Sequence, residues 1–319
     1  MWKPATRPRV TARALAVVAA TVVAVAAVAA LGGCGRVAPA ASPPRASAPV
    51  PVVAIEDTWG SIATQLGGAG ARVTSIVVNP NADPHAYEPT PADARALARA
   101  RLVIENGAGY DAWAARLLAA NPVPGRVVLD VARLVGAAPG ANPHLWYSPA
   151  DVATVVSAVT SDYVELDPRR AGYFRAREQS FRSRGLDGYH RLIAAIRASC
   201  AGVPVGASES VFAPMARALG LRLITPPALL AATSNGTEPS AGAKAAADRQ
   251  IRSGQIELYV ENTQNATPDV ARQVALARSA GIPVVGFTET LTPARATFQS
   301  WQVRQLRAVR AALTGSCRA

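Results

Sequence analysis

Two short runs, Asp83-Pro84-His85-Ala86-Tyr87-Glu88-Pro89-Thr90-Pro91-Ala92-Asp93 and Asn142-Pro143-His144-Leu145-Trp146, each set an imidazole directly after a proline that itself follows Asp or Asn. Proline fixes its own φ and steers the preceding residue away from helix. Each ring is therefore expected on a stiff turn, held clear of the backbone. The chain has 3 histidines, and these two stand 59 positions apart, from 85 to 144. Two stiffly presented imidazoles on distant loops point to a metal site that the fold assembles. The third, His190, falls in the helical pattern LDGYHRLIAA and is read as structural.

The elements that must position these rings alternate. Val52–Ile55 reads as a strand, Asp57–Leu66 as a helix stopped by glycines, and Val73–Val78 as a β-branched strand running into the His85 loop. Thr90-Pro91-Ala92-Asp93 is a helix start, with a Thr cap, Pro in the first turn and an early acid. Strands at Leu102–Glu105 and Val127–Asp130 flank a helix from about Asp111 to Ala120. Strand-helix alternation predicts a parallel sheet with helices on its faces, and ligands in such sheets sit beyond the carboxyl ends of strands.

The second half repeats this logic. Strands are expected at Val203–Gly206, Arg222–Thr225, Leu258–Glu261 and Val284–Phe287, with helices at Val211–Leu219, Ala241–Ser253, Pro268–Ala280 and Pro293 to about Leu313. Between the halves, Pro149–Leu166 and Pro168 to about Ala198 read as helices. Thirty helical residues span about 45 Å, which suits a strut between two lobes. The expected fold class is α/β: two lobes, each a parallel sheet flanked by helices, joined by one long rigid helix.

The front of the chain bears on location. Lys3, Arg7, Arg9 and Arg13 precede an apolar stretch from Ala14 to Leu31, with no acid before Cys34. This is the pattern of an export signal, and Leu31-Gly32-Gly33-Cys34 resembles a bacterial lipobox whose cysteine is lipidated. The alternative is an uncleaved N-terminal anchor, since the apolar run approaches the ~18 residues of a spanning helix. Either reading tethers the remainder outside the cytoplasm. The Pro/Ala/Ser-rich stretch to Pro51 has no hydrophobic period and reads as a flexible tether. The expected division is 1–33 signal peptide, 34–51 tether, 52–167 N-terminal lobe, 168–199 linking helix and 200–319 C-terminal lobe.

The formal charge of +12 falls to +8 once the four basic residues before Cys34 are set aside. Only Lys3 and Lys244 are lysines, and no basic cluster is interleaved with aromatics. Nucleic-acid binding is therefore not expected, whereas attraction to anionic headgroups is compatible with the charge. With Cys34 assigned to lipid, Cys200 and Cys317 remain in an oxidising compartment, an even remainder that fits one disulfide. The alternative is a pair of unbridged small apolar side chains.

Taken together, these stretches resemble the zinc- and manganese-type metal-receptor lipoproteins of bacterial ABC transporters. The resemblance runs from about Val52 to Ala311. It is carried by DPHAYEPTPAD at Asp83–Asp93, NPHLWYSPADV at Asn142–Val152, ASESVFAPMARALGL at Ala207–Leu221 and VVGFTETL at Val284–Leu291, with smaller matches at Val103–Trp113 and Glu238–Ala241. Position by position, it implies metal ligands at His85, His144, Glu209 and Glu289, two from each lobe. Glu209 stands where many zinc-type members carry histidine, and Glu289 where the family usually has aspartate.

The resemblance further implies a monomeric receptor, not an enzyme. It would be lipid-anchored at the outer face of the cytoplasmic membrane and would deliver one divalent ion to an ABC permease and its ATPase. Two imidazoles with up to four carboxylate oxygens favour Mn²⁺, with Zn²⁺ close behind and Fe²⁺ compatible. The long helix should limit motion to modest lobe rocking. The rival readings are a secreted zinc-dependent hydrolase and a metal-binding adhesin or chaperone without transport. Against the hydrolase, the chain has neither His-Glu-x-x-His nor Gly-x-Ser-x-Gly.

Overall fold

The structure, a computed structural model, describes residues 48–138 and 140–317. The signal segment, Cys34 and the tether through Ser47 lie outside the described residues. The N-terminal sheet begins with β1 (Val50–Glu56), followed by α1 (Asp57–Gly67), β2 (Ala71–Val77), α2 (Pro91–Arg99), β3 (Leu102–Glu105), α3 (Ala112–Ala120), β4 (Val127–Asp130) and the short α4 (Val131–Leu134). All pairings are parallel, in the order β2-β1-β3-β4. Strand alternation divides the side chains between faces. Val52 and Ala54 enter the large interior cluster, whereas Val53 and Ile55 pack outward with Leu97, Val103 and Trp113.

Val50 and Pro51, expected in the tether, open β1 instead. The Pro51 carbonyl accepts the Arg101 N–H at 2.9 Å, so the ladder uses the group proline retains and not the donor it lacks. Helix α2 is closed at its start by a capping box between Thr90 and Asp93, an arrangement that contributes about 1 kcal/mol.

Between the sheets run α5 (Pro149–Leu166, capped by Ser148), a 3₁₀ turn at Pro168–Arg170, α6 (Ala171–Ser180) and α7 (Asp187–Cys200). The long linking helix is present, but a π-helical segment at Phe181–Gly185 widens its middle. A Cβ on Gly185 would lie 3.1 Å from the Phe181 ring, so glycine lets that buried ring settle against the backbone.

The C-terminal sheet contains β5 (Pro204–Ala207), α8 (Ala213–Leu219), β6 (Arg222–Leu223), α9 (Pro227–Ser234), α10 (Ala241–Arg252), β7 (Tyr259–Asn262), α11 (Pro268–Ser279) and β8 (Val284–Phe287), and the chain closes on α12 (Phe298–Ala312). Its order is β6-β5-β7-β8, again parallel. Helix α9 was not anticipated. Helix α12 starts at Phe298 and not at Pro293, because Thr297 and Ser300 form its capping box. Cys200, the last residue of α7, is disulfide-bonded to Cys317, which ties the C-terminus to the end of the linking helix. One apolar cluster runs from Trp59 and Val155 through Phe212 to Trp301 and Leu306, so the inner faces of both sheets share a core.

Candidate metal centre

Four loops meet in the cleft between the sheets. His85 sits in the 3₁₀ turn Pro84–Ala86 beyond β2, and His144 just before the 3₁₀ turn Leu145–Tyr147. The same device builds both turns. Asp83 Oδ1 accepts the His85 N–H at 2.9 Å, and Asn142 Oδ1 accepts the His144 N–H at 2.9 Å. Such short side-chain-to-backbone bonds two residues apart pin the turn.

Asn142 Oδ1 also lies 2.9 Å from His144 Nδ1. An amide oxygen accepts only, so it holds the proton on Nδ1 and turns the Nε2 lone pair into the cleft. Tyr110 and Trp146 wall the rings, with centroids 4.7 Å from His85 and 5.6 Å from His144 respectively.

Glu209 follows β5 and Glu289 follows β8, and both are buried. Glu209 stands at the cap position of a 3₁₀ turn, yet its carboxylate makes no cap bond. Its Oε2 accepts the Ser234 hydroxyl at 2.7 Å, and its Oε1 accepts Asn262 Nδ2 at 2.8 Å. Glu289 Oε1 accepts the same Asn262 amide at 2.6 Å, and Oε2 accepts the Tyr110 hydroxyl at 2.7 Å. Glu289 Oε2 also lies 3.3 Å from both His85 Nε2 and His144 Nε2. One ligand atom from each of His85, His144, Glu209 and Glu289 falls within 4.8 Å of the other three.

The electrostatics follow from this crowding. Burial pushes the Glu209 carboxyl up, against the pull of His144. Burial acts on Glu289 in the same direction, but the imidazoles, His144 foremost, outweigh it and hold that carboxylate well below its usual range. Two carboxyls sharing one pocket are thus driven apart. Burial alone would depress His85, but its hydrogen bond to Glu289 and the surrounding negative charge raise it. Burial and the Glu289 charge push the Tyr110 phenol up, so it remains a donor.

Other singled-out residues lie elsewhere. His190 is exposed on α7, beside a largely apolar groove of about 700 Å³ that none of His85, His144, Glu209 and Glu289 lines. Glu238 pairs with Lys244, and Glu261 lies 3.7 Å from Arg278. Tyr87 packs against Trp113. Sequence reasoning missed Tyr110, Ser234, Asn262 and Gln264 as members of the site. Tyr110 lay inside a quoted motif, whereas the other three carry no spacing signal.

A family model for the periplasmic component A of the zinc-uptake complex (ZnuA) matches residues 52–312. This chain belongs to that family. Its two-sheet fold is that of the metal-receptor periplasmic binding proteins. Among curated relatives, the manganese-binding lipoprotein MntA of Halalkalibacterium halodurans is 30% identical over 127 residues, covering 38% of this chain and 41% of that protein. The iron-binding protein YfeA of Yersinia pestis is 30% identical over 126 residues, covering 38% and 40%. The matched stretch therefore spans about two fifths of either relative. The Cd-bound periplasmic metal-binding protein of Candidatus Liberibacter asiaticus superposes with a TM-score of 0.69 at 18% identity, covering 82% of this chain and 98% of that one. A crystal structure of ZnuA gives 0.66 at 23%, covering 83% and 99%. These structural likenesses speak for the fold.

Proposed function

We propose that the protein captures one divalent transition-metal ion with His85, His144, Glu209 and Glu289 and hands it to an ABC permease and its ATPase. The observation that carries this reading is the convergence of two imidazoles from one lobe with two carboxylates from the other. Charge supports it. A buried dication needs two negative charges to offset its lost hydration, and neutral imidazoles with two carboxylates supply that balance. Mn²⁺ or Zn²⁺ is the cargo. An oxygen-rich donor set favours the first and a four-coordinate one the second. The relative named for manganese and the family named for zinc both fit.

Lipid on Cys34 holds the receptor at the outer face of the membrane. Among the described residues no helix is long and apolar enough to cross it. The ion draws the lobes into a defined arrangement that the permease reads. Calorimetric titration of chelator-stripped protein with Mn²⁺ and Zn²⁺ tests the capture step. One ion per chain, lost in His144→Ala, is the expected result. No binding of either ion, or unchanged binding in the variant, would refute it. Cys34→Ala should move the protein from the membrane to the soluble fraction.

A further inference from the structure

Asn262 ends β7 at the floor of the cleft and is 1% exposed. Its Oδ1 accepts the Gln264 N–H at 3.0 Å, which fixes the amide orientation and points Nδ2 at the carboxylates. That one nitrogen donates to Glu209 Oε1 at 2.8 Å and to Glu289 Oε1 at 2.6 Å. Both of its N–H bonds are thus committed to one oxygen on each carboxylate. The remaining oxygens differ. Glu289 Oε2 accepts the Tyr110 hydroxyl at 2.7 Å and lies 3.3 Å from both imidazole Nε2 atoms, at the centre of the group. Glu209 Oε2 accepts the Ser234 hydroxyl at 2.7 Å.

We infer that Asn262 is a specificity-determining residue: by holding Oε1 of both Glu209 and Glu289, it restricts each carboxylate to one donor oxygen and shapes the cleft for a four-coordinate ion. This rests on the reading that these four side chains hold the metal, and it refines which metal. An oxygen that accepts one hydrogen bond keeps a lone pair, so the restriction is one of orientation: a carboxylate that rotates to present both oxygens to one ion must leave a buried amide N–H unpaired, which is unfavourable. Two nitrogens and two oxygens then make a tetrahedral set, which suits Zn²⁺. Mn²⁺ prefers more oxygens and a higher coordination number. The lean to manganese from sequence counted four carboxylate oxygens; Asn262 lowers that count to two.

The test uses Co²⁺ as probe, because its visible bands are strong when it is four-coordinate and weak when it is six-coordinate. Wild type loaded with one Co²⁺ should show the strong bands. Asn262→Ala should weaken them and lower the Zn²⁺-to-Mn²⁺ affinity ratio by about tenfold, within the range for residues that orient metal ligands. A purely structural role would weaken both ions alike and leave ratio and spectrum unchanged, which would overturn the inference. Should Asn262→Ala not fold, Asn262→Ser and X-ray absorption of Zn²⁺-loaded wild type serve instead. Four donors at zinc support the inference, and five or six overturn it. Wild type that takes up no Co²⁺ or Zn²⁺ would instead defeat the underlying site reading, and this inference with it.

Discussion

The two sheets share one plan, with the first strand second in line and Glu-Asn at the end of the third, yet the matching asparagines do different work. In the N-terminal lobe, Asn106 accepts the Trp59 indole N–H at 3.1 Å and donates to the Pro143 carbonyl at 2.8 Å, just before His144. In the C-terminal lobe, Asn262 grips the carboxylates themselves. The ends of the first strands differ as well. Beyond β5, Glu209 points into the cleft. Beyond β1, Asp57 accepts the Leu291 N–H at 3.1–3.2 Å and staples the lobes together. The contrast has a physical reason. An imidazole is rigid, so fixing its backbone turn aims its lone pair. A glutamate has one more rotatable bond and two equivalent oxygens, so it needs clamps on the side chain.

The largest effect that could break this comparison is on the ligands. Glu289→Ala should weaken metal capture more than about 100-fold, beyond the range of orienting residues, because Glu289 faces both imidazoles. His85→Ala should cost less, since His85 is the most exposed of the four, with a side chain 24% accessible where a water can substitute. Competition titration measures both. Equal losses would mean that the lobes contribute interchangeable donors.

The next effect concerns the clamps. Gln264 accepts the N–H groups of Glu289 and Thr290 at 2.6 and 3.1 Å and donates to the Ala82 carbonyl of the His85 loop at 2.9 Å. Gln264→Ala strands the buried Glu289 and Thr290 N–H groups and releases the Ala82 carbonyl of the other lobe, and should lower stability by about 2–3 kcal/mol while weakening metal capture. Asn106→Ala should lower stability by about 1–3 kcal/mol yet leave the Zn²⁺-to-Mn²⁺ ratio unchanged, unlike Asn262→Ala. Denaturant unfolding with parallel metal titrations separates these outcomes.

Acid should act first through the histidine half. His85 is raised above its ordinary 6.5, so protons compete with metal from near neutrality. Affinity should rise with pH through that range and level off above it, with proton release on binding and a slope near tenfold per pH unit for each proton displaced. Calorimetry in buffers of different ionisation heat counts the protons. A flat profile from about pH 6 to 8 would contradict a histidine role.

The smallest effect on metal capture belongs to Asp57, which acts on stability. Burial lifts its carboxyl from 3.8 to about 7, against the backbone N–H groups that it accepts. The folded state therefore holds this proton more tightly than the unfolded chain. Its contribution is full below about pH 4 and is lost as pH rises through about 7, at no more than about 1.4 kcal/mol per unit. Asp57→Asn should flatten the stability–pH curve over that window.

How much of this was legible in the sequence follows the same division. The two histidines announced themselves, because proline and an Asx residue two positions ahead define their turns locally. The strands were legible as β-branched runs between helix patterns. Helix α9 was not: its short apolar stretch between Pro227 and Ser234 has no clear period, and with it Ser234 went unseen. Asn262 and Gln264 went unseen because their partners lie on other loops, and no local spacing marks a clamp made in three dimensions. The late start of α12 was hidden because Pro293 is as good a first-turn residue as Phe298 until the capping box is known. The lean to manganese came from counting oxygens, and composition shows how many donors exist, not how a neighbouring amide orients them.

The most direct measurement is metal content by mass spectrometry on protein purified without chelators, beside one variant from each lobe, His144→Ala and Glu209→Ala. A cleft site shared between lobes predicts one equivalent of divalent transition metal in the wild type and none in either variant. Metal retained in one variant would place the site within a single lobe, and no stoichiometric metal in the wild type would contradict the account at its root.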